Sequence, residues 1–246
     1  MKLTIDITSR CNQDCEFCYN TGSNGDLGFD AFKEWITNDI SVVEIGGGEP
    51  MLHPRLPDFI EYCTERKKKV NIVTNGSLLN SRLFDIENKD SVEFLVSLHG
   101  VGDVHNEITG TNNYDAILQN IQELGEHFRI GLNTAIYKKN LDQVDSLIAL
   151  SRSLCLPIRF NLVYLVGRGK YIELIDDFEL KRLQGRLTQE KIVNPLVDSP
   201  LTRPNNCVAI ERFYGIPKTG LCPVDTNSKV YVDQSGKRSR CEFYGE

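Results

Sequence analysis

The sequence has no run of about 18 apolar residues that could span a bilayer. Its first residues, Met1-Lys2-Leu3-Thr4-Ile5-Asp6-Ile7, alternate like a strand and lack the apolar block of a signal peptide. It also lacks an excess of basic charge: 28 Lys and Arg against 34 Asp and Glu leave a net charge of −6. Proteins that hold nucleic acid by neutralising phosphates normally show a basic face, so a nucleic-acid partner is not expected. There is no low-complexity segment. With 246 residues, 40% of them hydrophobic, the chain has enough apolar material for one large α/β domain, alone or with a small appendage, and bulk disorder is excluded. A cytoplasmic protein without a membrane partner is expected.

What the sequence does have is eight cysteines. In a reducing compartment that count points to metal ligands or catalytic thiols, not disulfides. Cys11, Cys15 and Cys18 crowd the start, Cys207, Cys222 and Cys241 gather near the end, and Cys63 and Cys155 stand alone. The two triplets need a chemical account. The singletons are expected to pack as small apolar residues.

Up to about residue 165 the pattern alternates strand and helix. Strands are expected at 3–8, 42–46, 70–74, 92–97, 130–137 and 158–164, and helices near 29–38, 56–68, 81–88, 114–127 and 141–154. Such alternation implies right-handed crossovers and a parallel sheet, curled into a barrel or partial barrel or left open. Its chemistry would collect at the carboxyl ends of the strands. The unusual loops fall there: Cys11 to Cys18 after the first strand, Gly46-Gly47-Gly48-Glu49-Pro50 after the second, Thr74-Asn75-Gly76 after the third, and Ser97-Leu98-His99-Gly100 after the fourth. The run Arg66-Lys67-Lys68-Lys69 reads as a solvated cationic helix end opposing the helix dipole. The segment 167–200 carries a helix from Asp177 to Leu187, and Lys229 to Asp233 reads as a strand entering a turn.

Cys11, Cys15 and Cys18 have the spacing C-x3-C-x2-C. Thiolate ligation selects zinc, cuprous copper or an iron–sulfur cluster. A closed zinc tetrahedron wants a fourth Cys or His nearby, yet the first His is His53. Three ligands for a four-iron cluster leave one iron open, a place for a cofactor or substrate.

These three cysteines, with Phe17 just before the third and Gly47-Gly48-Glu49-Pro50 after the second strand, resemble the motifs of the radical S-adenosylmethionine (SAM) enzymes. The resemblance implies an α/β fold, a partial (β/α)6 TIM-like barrel over residues 1–166, holding a 4Fe-4S cluster. The open iron of that cluster chelates the methionine part of SAM. Reductive cleavage there gives a 5'-deoxyadenosyl radical that abstracts a substrate hydrogen, and an electron donor such as flavodoxin or ferredoxin is implied. By the same likeness Gly46, Gly47 and Gly48 would let backbone approach the methionine ammonium, with Glu49 as a polar contact, and Phe17 would pack near adenine or shield the cluster. Ser97 and His99 would lie near the ribose or carboxylate, although many relatives carry Asp where His99 stands. Asn75, Asn133 and the backbone at Val163 complete the expected cofactor contacts. Arg168 could reach a substrate carboxylate or phosphate, or be an ordinary surface arginine.

Cys207, Cys222, the stretch Val230-Tyr231-Val232, Gly236 and Cys241 look like the hairpin of the auxiliary-cluster domains called SPASM or, when short, twitch. That likeness implies a domain at 201–246 with a β-hairpin and one auxiliary iron–sulfur cluster, joined through a helical linker at 167–200. A zinc site would suit the same widely spaced thiolates. The substrate expected is a small molecule or a peptide, oxidised, crosslinked or epimerised. Because the chain begins at the first strand, a peptide-recognition module would be a separate protein. The alternatives are an activase that installs a glycyl radical on a partner, and a non-catalytic iron–sulfur sensor.

Overall fold

The computed structural model describes residues 1–20, 25–79, 81–193, 196–198 and 229–239. Strands β1 (Lys2–Thr8), β2 (Val42–Gly47), β3 (Lys69–Thr74), β4 (Val92–Ser97), β5 (Arg129–Ile136) and β6 (Ile158–Leu162) follow one another with helical connections. The helices are α1 (Phe29–Trp35), α2 (Leu56–Glu65), α3 (Asp103–Thr109), α4 (Tyr114–Gly125), α5 (Val144–Ser153) and α6 (Asp177–Val193). Short strands β7 (Val197–Asp198), β8 (Lys229–Val232) and β9 (Arg238–Ser239) complete one sheet of order β7-β6-β5-β4-β3-β2-β1-β8-β9. Every neighbouring pair is parallel except the hairpin β8/β9. The architecture is the expected α/β partial barrel, open between its two end strands.

Period-2 alternation decides which side of the sheet is covered. Leu3, Ile5 and Ile7 of β1, Val43 and Ile45 of β2, and Phe94 and Val96 of β4 are fully buried in one core with Phe59 and Ile60 of α2, Ile117 of α4 and Leu147 of α5. The opposite, concave face carries the polar partners of that alternation. Thr4 of β1 lies across from Glu44 of β2, Asn71 of β3 across from Glu93 of β4, and Asn133 of β5 across from Arg159 of β6.

Several boundaries differ from the sequence reading. The third expected helix, 81–88, is a 3-10 turn at Ser81–Asp85, and 141–154 splits into a 3-10 segment, Lys138–Gln143, followed by α5. Helix α3 was not foreseen, because its seven residues hold only two apolar side chains, Val104 and Ile108. The cationic run is corrected at Lys68, which is buried and not solvated. Its ammonium donates to the carbonyls of Thr37 at 3.0 Å, Asn38 at 3.3 Å and Ile40 at 2.6 Å. It ties the turn before β2 to the turn before β3. Cys63 is buried in α2 as expected, whereas Cys155 is exposed at φ 54°, where the chain reverses between α5 and β6 in the left-handed region. The expected strand and turn at 229–233 exist, and the strand is seated in the barrel sheet itself, parallel to β1. Among the described residues no helix is long and apolar enough to cross a membrane.

Candidate functional site

The loop after β1 carries Cys11, Cys15 and Cys18 over the carboxyl ends of the strands, and backbone and side-chain ties fix it along its length. At its start Arg10 N–H donates to Thr8 Oγ1 at 3.1 Å. The Arg10 guanidinium grips Asp26 at 3.1 and 2.7 Å and the Leu52 carbonyl at 2.8 Å. In its middle, Asp14 N–H and Glu16 N–H donate to the Thr109 and Ile108 carbonyls at the end of α3, at 2.9 and 3.1 Å. At its end, Arg168 N–H donates to the Cys18 carbonyl at 2.9 Å. The unforeseen α3 is therefore a wall of the site.

Cys11 is exposed and Cys15 and Cys18 are half-buried. Gln13 N–H lies 3.4 Å and Asn75 Nδ2 3.9 Å from the Cys11 sulfur. Burial pushes the Cys15 thiol up to about 12, and charge on Cys18 and Cys11 pushes the same way. Burial likewise raises Cys11, with Glu49 and Cys18 adding to it. Thiolates crowded on one partly buried loop need positive charge among them. Among the described residues no three His, Cys, Asp or Glu side chains converge closely enough to hold a single metal ion. This donor set, three soft sulfurs on one loop, fits a cationic iron–sulfur cluster.

The glycines at the end of β2 act on this loop directly. A Cβ on Gly47, whose φ is 129°, would meet the Thr8 carbonyl oxygen at 2.2 Å, and one on Gly48 the Arg10 carbonyl oxygen at 2.1 Å. Gly48 N–H and Glu49 N–H donate to those same carbonyls, each at 2.7 Å. Only glycine lets β2 run this close to the chain entering the cysteine loop. Gly46 is different: its Cβ would touch only Asp6 Oδ1, at 3.4 Å. Glu49 is fully buried, and its carboxylate accepts Met51 N–H at 2.9 Å, Thr74 Oγ1–H at 2.7 Å and Asn75 N–H at 2.7 Å. Burial lifts its pKa to about 7 despite these bonds. Glu49 thus laces the ends of β2 and β3 together, and Asn75, so fixed, donates through Nδ2 to Asn12 Oδ1 of the cysteine loop at 2.8 Å.

The remaining expected contacts line the ends of β4, β5 and β6. Ser97 pairs with Asn133, whose Oδ1 accepts Asn161 Nδ2 at 2.7 Å. Phe17 stands edge-on to His99 at 4.8 Å and to Tyr137 at 5.6 Å between ring centroids. Phe17 packs on a small apolar cluster of Ile108, Tyr137 and Val163 beside the cysteine loop. His99 is buried, and its Nδ1 accepts Ala135 N–H at 3.2 Å, which leaves Nε2 to carry the proton of a neutral ring. Burial and the neighbouring His105 push its pKa down to about 3, and burial alone takes His105 to about 4. His105 Nδ1 accepts His99 N–H at 3.2 Å.

The structure thus brings Asn75, His99 and Val163 against the loop of Cys11, Cys15 and Cys18, the last two through Phe17, whereas Ser97 and Asn133 pair with each other on β4 and β5. Cys207, Cys222 and Cys241 lie outside the described residues. The sequence reading missed Tyr137, whose hydroxyl donates to Glu16, and Asp6, which accepts Tyr231 Oη–H at 2.6 Å and Tyr19 Oη–H at 3.4 Å. Asp6 had a signal: it is an acid in a strand whose alternate residues are all apolar. The Tyr231 partnership had none, being 225 residues away in sequence.

The chain matches the family model described as the Radical SAM superfamily over residues 5–150. It is 23% identical over 258 aligned residues to a GTP 3',8-cyclase of Clostridium perfringens (strain SM101 / Type A), an alignment covering 97% of this chain and 79% of the cyclase. It is 27% identical over 182 residues to AlbA, the antilisterial bacteriocin subtilosin biosynthesis protein of Bacillus subtilis (strain 168), covering 69% of this chain and 41% of AlbA. The fold matches Streptococcus suis SuiB bound to S-adenosylmethionine, with a TM-score of 0.77 and 18% identity over 98% of this chain and 60% of SuiB. It matches SuiB bound to its precursor peptide SuiA with the same TM-score and identity. The chain spans most of the cyclase but less than two thirds of AlbA and of SuiB. With the family model covering more than half of the chain and the cysteine loop set at the mouth of a partial barrel, the chain belongs to the Radical SAM superfamily.

Proposed function

We propose that Cys11, Cys15 and Cys18 hold a 4Fe-4S cluster and that the chain is an enzyme that uses SAM to abstract hydrogen from a peptide. The observation that carries this reading is the loop itself: three cysteines at C-x3-C-x2-C spacing, tied to the end of β2, to α3 and to the segment after β6 at the open end of the barrel. Held by Cys11, Cys15 and Cys18, such a cluster would supply the one-electron reduction that splits SAM into methionine and the hydrogen-abstracting 5'-deoxyadenosyl group.

This chain's own residues bind, orient and exclude water. Asn75 fixes Asn12 and reaches the Cys11 sulfur, Glu49 holds Asn75, and the glycines allow the close approach of β2. Phe17, Tyr137 and Val163 make an apolar wall beside the cysteines that keeps a reactive species from water. Ser97, neutral His99 and Asn133, with the backbone at Val163, offer hydrogen-bonding groups for ribose, carboxylate and adenine. A peptide is favoured as substrate because AlbA serves bacteriocin biosynthesis and SuiB binds a precursor peptide. The polar concave face, with Glu44, Glu93, Asn161 and Arg159, suits a hydrogen-bonding substrate. An auxiliary iron–sulfur cluster at Cys207, Cys222 and Cys241, a flavodoxin- or ferredoxin-type donor and a separate peptide-recognition protein complete the proposal. The likeness to the cyclase, spanning 97% of the chain, favours GTP as the small-molecule alternative.

The test is anaerobic reconstitution with iron and sulfide, then dithionite and SAM, with iron counted and 5'-deoxyadenosine measured alone, with precursor peptides and with GTP. Release of 5'-deoxyadenosine that is lost in Cys15→Ala is expected. Absence of both a 4Fe-4S signal and 5'-deoxyadenosine under every condition would overturn the reading.

A further inference from the structure

The turn Gly167-Arg168-Gly169, after β6, lies against the cysteine loop more tightly than any other residue type would allow. A Cβ on Gly167, whose φ is 54°, would meet the Cys18 and Tyr19 carbonyl oxygens, each at 2.6 Å. One on Gly169 would meet the Tyr164 carbonyl oxygen at 2.3 Å and the Phe17 carbonyl oxygen at 3.5 Å. Between these glycines Arg168 bonds the loop twice. Its N–H donates to the Cys18 carbonyl at 2.9 Å, and its guanidinium pairs with the Asp14 carboxylate, inside the C-x3-C-x2-C segment. The guanidinium thereby places a positive charge inside the segment that bears the three cysteines, next to Cys15 in sequence. Arg168 is thus turned toward the cysteine loop, with Asp14 as the carboxylate that it engages.

From this geometry we propose that Arg168 is a positioning residue for the cluster: a clasp that holds the cysteine loop closed and raises the cluster's reduction potential. The physical basis is general. A nearby cation stabilises the form of a cluster that has gained an electron. The step is a single electron passing from a named reductant, dithionite in the test, to the oxidised cluster, with no bond made or broken. Asp14 opposes the effect, so the pair sets the potential between two limits. The inference rests on assigning Cys11, Cys15 and Cys18 to a cluster.

The test uses the full reconstituted chain, with iron content and the electron paramagnetic resonance signal followed through an anaerobic redox titration. Arg168→Gln, at iron content equal to the parent chain, is expected to lower the reduced-to-oxidised ratio at fixed potential about tenfold, a shift of ~59 mV for one electron. Arg168→Lys, which keeps the charge but not the fork, is expected to lose less. Asp14→Asn, at an exposed position, is expected to move the potential upward. Unchanged midpoints in Arg168→Gln and Asp14→Asn, or shifts of the same sign in both, would overturn the clasp. If Arg168→Gln loads no iron, the sign in Asp14→Asn decides: a midpoint that fails to rise overturns the proposal. A parent chain that takes up no 4Fe-4S cluster would instead refute the cluster assignment itself, so the two failures are distinguishable.

Discussion

Glu49 accepts the backbone N–H of Asn75 at 2.7 Å, and through this bond the end of β2 is fixed to the end of β3 beneath the cysteine loop. The same carboxylate holds Thr74 Oγ1–H and Met51 N–H. Glu49→Ala would leave three buried donors without their acceptor, each costing about 1–3 kcal/mol. A loss of at least ~3 kcal/mol in urea unfolding is expected, with a smaller loss in Glu49→Gln, which keeps one acceptor oxygen.

Glycine positions on the same ridge should separate sharply. Gly48→Ala would push a Cβ to 2.1 Å from a backbone oxygen, while Gly46→Ala meets only a side-chain oxygen at 3.4 Å. Overpacking typically costs about 1–3 kcal/mol, and Gly48→Ala should reach the top of that range and displace the cysteine loop. Gly46→Ala should stay within ~1 kcal/mol of the parent chain by thermal unfolding. At an exposed position of α6, Gly185 has nothing within 4 Å of its Cβ position, so Gly185→Ala should stabilise by about 0.5–1 kcal/mol.

Acid should destabilise the barrel through its histidines. His99 and His105 stay neutral in the fold down to about 3 and about 4, whereas unfolded they charge near 6.5. The unfolded chain therefore binds more protons below pH 6.5, and each ring contributes stability, on the order of 3 kcal/mol, that falls as pH drops. Glu49 acts oppositely. Its carboxyl keeps its proton to about 7 in the fold but releases it near 4.5 unfolded, so its contribution falls as pH rises through that window. Two histidines outweigh one glutamate, and urea midpoints should be lower at pH 5 than at pH 7. His105→Asn, whose Oδ1 can replace Nδ1 as acceptor for His99 N–H, should flatten that difference.

Tyr231 reports whether the carboxyl-terminal hairpin belongs to the barrel. Its hydroxyl donates to buried Asp6 at 2.6 Å, and β8 pairs with β1 from Lys2 to Ile5. Tyr231→Phe should destabilise the chain by about 1–3 kcal/mol and lower hydrogen-exchange protection at Leu3 and Ile5. Unchanged protection would mean that the hairpin folds separately.

The alternation of strand and helix, the spacing of Cys11, Cys15 and Cys18, and the placement of polar loops after strands were legible because they are local and periodic. Leu3, Ile5 and Ile7 on one face and Thr4, Asp6 and Thr8 on the other give β1 its buried and lumenal sides before any partner is known. Glycine turns could be recognised but not interpreted. That Gly47 and Gly48 let the backbone crowd onto Thr8 and Arg10 depends on which atoms lie beside them, and the sequence does not show those. Lys68 in a run of cations and Cys155 after a helix were misread for the same reason: burial is a property of the assembled neighbourhood.

The sequence by itself determined the superfamily, the succession of strands and helices along the chain and the spacing of Cys11, Cys15 and Cys18, since each rests on residue type and position along the chain. Only the tertiary structure decided that Glu49 is a buried lace, that α3 walls the cysteine loop, that Arg168 faces Asp14 and Cys18, and that β8 closes against β1. Those facts join residues from far apart in the chain, such as Lys2 and Lys229. Side-chain direction and desolvation, which choose among partners at such distances, exist only once the chain is packed.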